Sequence, residues 1–251
     1  MVQVSRRAGF TGSALTRLLA RLTDIDVPES RQAFADRLSQ WFGWTDAISL
    51  SSALNGGLQT APSGARGPAS TEEGECARVR SALMNAIAED SAITADKRRG
   101  HAQAPAAEPD APVDTKVDFS PYRRHYLARQ QAMEAGIGPL RGRLRAKLAA
   151  RSPAMARLAA VDAVMEQVLG AHEHRLLATV PGLLEKHFER LRQADQERSA
   201  DEPERRAPPG GWQDTFRKDM QGVLLAELDI RLQPVEGLLE ALRINETSCH
   251  D

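Results

Sequence analysis

The 251-residue chain holds 33 Lys and Arg against 34 Asp and Glu, a net charge of −1, with hydrophobic residues at 41% and aromatics at only 4%. That length suffices for a full core in one or two domains, and so few rings favour helices packed through Leu, Ala, Val and Met over a compact enzyme core. A charge near zero argues against a dedicated polyanion binder unless bases are concentrated locally, and Cys76 and Cys249, far apart with no CxxC partner, support neither a zinc site nor a disulfide framework.

Residues 1–54 read as a small helical domain. Ser5-Arg6-Arg7-Ala8-Gly9-Phe10 resembles a twin-arginine export signal, but Arg17 and Arg21 interrupt the apolar stretch that would have to follow. Ser13 caps a first helix carrying Leu15, Leu18, Leu19 and Leu22 at three- and four-residue steps. Pro28 and Glu29 suit the first turn of a second, which lines up Phe34, Leu38, Trp41 and Phe42 and stops at Gly43. Thr45 caps a third, through Ile48 and Leu54. Trp41 and Trp44 are expected either as core of this unit or as a docking patch.

Residues 55–71, rich in Gly, Pro, Ser and Ala, read as a flexible linker. A single helix is expected over 72–93, with Val79, Leu83, Ala86 and Ile87 on one face. Residues 94–118 lose periodicity, gain Pro105, Pro109 and Pro112, and read as a disordered linker.

From 119 to 251 the pattern is a bundle of long helices with coiled-coil-like seams. Ser120-Pro121 restarts the helix, and Tyr122, Tyr126, Met133, Ile137, Leu140, Leu144 and Leu148 follow at steps of 4, 7, 4, 3, 4 and 4. A kink is expected near Gly138 and Pro139. Ser152-Pro153 opens the next helix, with Leu158, Val161, Met165, Val168, His172 and Leu176 as its stripe; Pro181 should break it before Leu184, His187 and Leu191. A loop is expected at about 195–211, then a helix through Trp212, Phe216, Met220, Leu224 and Leu228, and beyond Pro234 a final short helix. No segment alternates with period two between turn residues, so almost no strand is expected and the fold class is all-α.

The charges of this half are polarised. Residues 119–157 carry nine bases (Arg123, Arg124, Arg129, Arg141, Arg143, Arg145, Lys147, Arg151 and Arg157) against the single acid Glu134, whereas residues 158–251 carry eleven bases against eighteen acids. Arg141, Arg145 and Arg151 fall on one side of their helix and, with Trp41 and Trp44, are the expected partner-binding residues. The basic stretch either pairs with the acidic region, within one chain or between chains of a homo-oligomer, or captures a protein partner. The alternative is a nucleic-acid-binding regulator using the basic helix at 123–157, although no recognisable module supports it.

Chemistry is not announced. His172-Glu173-His174 places two imidazoles about 200° apart around a helix, so they cannot share an ion. Neither a zinc-protease pattern nor a paired Glu-x-x-His motif is present, and there is no phosphate-binding loop and no nucleophile elbow. We therefore expect no enzyme, cofactor or metal. His172 and His187 are expected as buried or interface histidines. No run approaches the roughly 20 apolar residues that span a bilayer, so a cytoplasmic protein without membrane insertion is expected.

Four stretches carry a resemblance: Thr11-Gly12-Ser13-Ala14-Leu15-Thr16-Arg17-Leu18-Leu19; Leu38-Ser39-Gln40-Trp41-Phe42 with Trp44; Phe119 to Met133; and Asp219-Met220-Gln221 with Leu228-Asp229-Ile230-Arg231-Leu232-Gln233-Pro234. Together they resemble a family of uncharacterised proteobacterial proteins grouped as a domain of unknown function, over nearly the whole chain. The resemblance implies no activity, cofactor or site residue. It does imply company: members look like gene-order neighbours of inner-membrane proton-channel-like proteins and OmpA-like peptidoglycan-binding proteins. That would make the chain a non-enzymatic scaffold, an accessory to an envelope assembly.

Overall fold

A computed structural model describes residues 13–24, 32, 34–55, 69–101, 118–201 and 211–247. Every element among them is a helix: α1 (Ala14–Thr23), α2 (Phe34–Trp41), α3 (Trp44–Asn55), α4 (Ala69–His101), α5 (Ser120–Ala149), α6 (Pro153–Leu177), α7 (Val180–Asp201) and α8 (Gly211–Thr247). Residues 1–12, 25–31, 33, 56–68, 102–117, 202–210 and 248–251 lie outside the described residues, and with them most of the three expected linkers, the start around Pro28, and Arg6-Arg7.

The core is built on α5 and α8. On α5, Tyr126, Gln130, Met133, Ile137, Leu140, Leu144 and Leu148 are buried, a line of three- and four-residue steps along one helix face. On α8 the matching line runs Phe216, Met220, Val223, Leu224, Leu228, Leu232, Val235, Leu238 and Leu242. Tyr126 meets Glu227 and Glu134 meets Arg231, so the two helices run parallel. Lys147 meets Glu72 and Arg143 meets Glu75, which sets α4 antiparallel to α5. Arg141 on Asp162 and Gln130 on the Leu177 carbonyl do the same for α6. One end is closed by rings: Phe188 of α7 packs edge-on against Phe216 (5.1 Å between centroids) and Trp212 (5.0 Å), with Phe119 and Tyr122 beside them.

Local signals account for the helix starts. Ser13 accepts from the Thr16 N–H, and Ser152 from the Met155 N–H, each at 3.2 Å. At α5 the N-cap is Phe119, not Ser120, and it makes no side-chain cap bond; Asp118 before it accepts from the backbone and hydroxyl of Ser120. Those donors hold the Asp118 carboxyl below its ordinary value. At α3 the Gly43 N–H donates to Asp46, the reciprocal half of a capping box, and Thr45 is not the cap.

Several expected boundaries move. Pro139 and Pro234 sit inside α5 and α8 without ending either helix. An interior proline costs about 3 kcal/mol, but Ile137 and Leu140 flank one and Leu232 and Val235 the other, all buried. Each such side chain is worth about 1.5–3 kcal/mol, which outweighs the proline. Pro181, by contrast, follows a real break, since α6 ends at Leu177 and α7 starts at Val180. α4 extends past both ends of the expected 72–93, and α7 runs on to Asp201.

The N-terminal unit differs most. α1 does not close on α2 and α3; it packs against α7 and α8, with Leu15 and Leu22 buried in the main core. α3 lies against α6 and buries no residue of its own. The expected α6 stripe is correspondingly displaced. Leu158 and Leu176 are exposed, because the side of α6 facing α5 is the line Ala159, Asp162, Glu166 and Leu177.

Candidate functional site

Arg141 grips Asp162 with two bonds, Nε–Oδ2 at 2.9 Å and Nη2–Oδ1 at 2.7 Å. Arg145 reaches Asp162 at 3.3 Å and Glu166 at 2.5 Å. The guanidinium side chains are 13% and 20% exposed, so this charge is spent between α5 and α6 of one chain. Arg143 and Lys147 pair with Glu75 and Glu72 of α4. Arg151 is half-buried in the turn after α5, where its N–H bonds the Leu148 carbonyl. Trp41 and Trp44 are separated by role. Trp41 stacks on His172 of α6, 5.1 Å between centroids at 23°, whereas Trp44 is 82% exposed.

Trp41 forms one wall of an apolar groove of about 570 Å³, where Leu15 and Leu19 of α1 face Leu176 of α6 and Val180 and Leu183 of α7. The break between α6 and α7 opens it. Thr179 closes that turn by bonding the Leu176 carbonyl from its backbone and its hydroxyl, leaving the Leu176 side chain 64% exposed. The α1 wall is held at its C-terminal end, where Arg190 of α7 donates to the Leu22 carbonyl, at the negative pole of the helix dipole. Arg190 also donates to Nδ1 of His187 at 3.1 Å, and Nε2 of that ring lies 2.8 Å from Asp219. Since a guanidinium can only donate, Nδ1 is the accepting nitrogen and Nε2–H donates to Asp219.

A second groove, about 400 Å³, adjoins the first along α6 and shares Leu169, Glu173 and Ile230 with it. It lies between α5, α6 and α8 and carries Glu134, Glu166 and Glu173 with Arg141 and Arg231. The carboxylate side chains are 38–45% exposed, the two guanidiniums 10–13%, so the acids face solvent and the bases lie beneath.

Under this groove sits a buried polar network that the sequence reading missed. Glu227 of α8, fully buried, accepts from the Tyr126 hydroxyl at 2.5 Å, from Gln130 at 3.0 and 3.1 Å, and from Arg231 at 2.9 Å. Gln130 also donates to the Leu177 carbonyl at 3.2 Å, tying in the end of α6. Burial, reinforced by the charge of Glu227, pushes the Tyr126 phenol far above its ordinary value. The signal was present in register. Gln130 fills the seven-residue gap between Tyr126 and Met133, and Glu227 falls four residues after Val223 in the buried line of α8.

Such an arrangement can bind and orient. His172 stacks on Trp41 while His187 is engaged with Asp219 and Arg190, so the two rings serve different contacts. Among the described residues no group of three or more His, Cys, Asp or Glu could hold a metal ion, and no helix is long and apolar enough to cross a membrane. No functionally described protein and no solved structure matches the chain. Residues 1–244 match the model of a family described as protein of unknown function (DUF3348), and the chain belongs to that family.

Proposed function

We propose that the chain works in the cytoplasm as a non-enzymatic helical scaffold that holds a helix of another protein. The observation that carries this reading is the apolar groove of about 570 Å³ with Leu176 standing 64% exposed at its edge. A monomeric surface has little reason to present so large an apolar side chain beside a concavity unless something covers both. The envelope assembly implied by the family resemblance is one setting for such a partner. Less supports a nucleic-acid-binding regulator, because Arg141, Arg143, Arg145 and Lys147 already face carboxylates of α6 and α4, leaving few of them to neutralise phosphates.

The test is a photo-crosslinking amino acid placed at Leu176 and, in a separate variant, at the exposed but remote Leu158, both in the native host. A protein adduct from position 176 that is absent from position 158 is expected. Equal labelling from the two positions, or none from 176, would remove the groove as the working surface.

A further inference from the structure

The two adjoining grooves differ in chemistry, and the difference identifies what fits them. One is apolar, walled by Leu15, Leu19, Trp41 and Leu176. The other is rimmed by carboxylates of Glu134, Glu166 and Glu173 that face outward over guanidiniums already committed below. Pro234 also lines it and has no N–H to give the carbonyl of Ile230, another lining residue, so a further acceptor lacks its usual helical donor. From Met165 to Leu176, α6 runs beside both grooves for about 16 Å, the length of three helical turns. The floor is also low. Gly138 of α5 and Gly170 of α6 both line the acidic groove, and a Cβ added at either meets nothing within 4 Å.

We propose that the joined grooves take an amphipathic helix of a partner protein whose apolar face is flanked, at one end, by lysines or arginines. Large apolar side chains of that helix fill the groove at Trp41 and Leu176. Its basic residues lie over Glu134, Glu166 and Glu173, where outward carboxylates and a carbonyl that Pro234 cannot serve accept their hydrogen bonds. An acidic helix is repelled at the same rim, so charge selects among partners that the apolar groove alone would admit. This inference rests on the docking reading above and adds the partner's chemistry to it.

The experiment uses the full chain and two labelled model peptides of roughly 18 residues, long enough for stable turns over the groove. They have identical leucine faces, with lysine flanks in one and glutamate flanks in the other, and binding is read by fluorescence anisotropy. The lysine peptide should bind at least about ten-fold more tightly than the glutamate peptide. The pair Glu134→Gln and Glu173→Gln should erase that preference; Arg231 keeps Glu227, so neither change strands it. Gly170→Leu fills the floor and should weaken the lysine peptide about ten-fold or more, while thermal melting holds or rises, because leucine is the better helix former. Equal binding of both peptides would overturn the acidic-rim inference and leave the docking reading intact. Binding of neither peptide, with a specific adduct still forming at Leu176, would do the same. Self-association of the chain abolished by Gly170→Leu would overturn it in favour of a second copy as the occupant. Loss of the Leu176 adduct itself would remove the underlying reading.

Discussion

Glu227 is the residue whose environment is most demanding. A fully buried carboxylate is tolerable only if its lone pairs are occupied, and here a phenol, an amide and a guanidinium occupy them. Glu227→Ala would leave the Tyr126 hydroxyl without its acceptor and Arg231 with only its longer contacts to Glu134 and Glu173 at 3.4 and 3.8 Å. We expect a loss of about 3 kcal/mol in urea unfolding. Tyr126→Phe removes one bond to a charged acceptor and should cost about 1.5–3 kcal/mol. The same tyrosine makes stability depend on alkaline pH. Its phenol is raised in the folded chain, first by burial and then by Glu227. The folded form therefore keeps a proton that the unfolded chain loses near pH 10. The contribution is whole below that pH and falls as pH rises above it. Urea midpoints taken at roughly pH 8 to 11 should therefore decline more steeply for the wild type than for Tyr126→Phe. Parallel curves would mean that the phenol is not as isolated as its burial indicates.

At the scale of elements, the seam of α5 was legible because one strong period of three and four, carried by Leu, Ile and Met, has only one face to bury. The same reasoning failed on α6, which has two. Its apolar stripe does not lie on the side that meets α5: His172 stacks on Trp41 of α2, Met165 lines the groove beside α8, and α3 packs on the same helix. Its inner side is charged, with Asp162 and Glu166 meeting Arg141 and Arg145. Periodicity reports that a face is apolar and not which neighbour it meets. For the same reason the basic and acidic blocks were visible as composition, whereas their pairing inside one chain required the hairpin turn at Ala150–Ser152. Trp41 was visible as a candidate, but the groove beside it arises where α6 stops and α1 arrives from far away in sequence, and no local pattern encodes that meeting. The α5–α6 pairing predicts a charge-swap result. Arg141→Asp or Asp162→Arg alone should lower stability by about 2 kcal/mol, given that these side chains are only 13% and 14% exposed. The double swap should recover at least about 1 kcal/mol of that in a double-mutant cycle read by denaturant unfolding. Coupling that disappears on dilution would instead place the partner carboxylate on another chain.

Across the whole molecule, burial is graded, and the grading sets how the parts open. α5 and α8 hold most of the fully buried side chains, while α3 buries none and rests on α6 with Trp44 and Ile48 facing solvent. Local opening costs little where few apolar contacts must break. Hydrogen exchange read by mass spectrometry should therefore be fastest in α3 and slowest in the facing stretches of α5 and α8. α1 falls between them, although it is short, because Leu15 and Leu22 reach the main core and Arg190 holds the Leu22 carbonyl. Truncation to residues 56–251 separates these contributions. It removes two buried leucines worth about 1.5–3 kcal/mol each, so the remaining bundle should unfold at lower urea than the full chain. It also takes away the Leu15, Leu19 and Trp41 wall of the groove, so the adduct at Leu176 should vanish even though the bundle stays folded. A truncated chain as stable as the whole would mean that residues 1–55 form a unit of their own. Stability lowered with the adduct intact would mean that α6 and α7 hold the partner without the α1 wall.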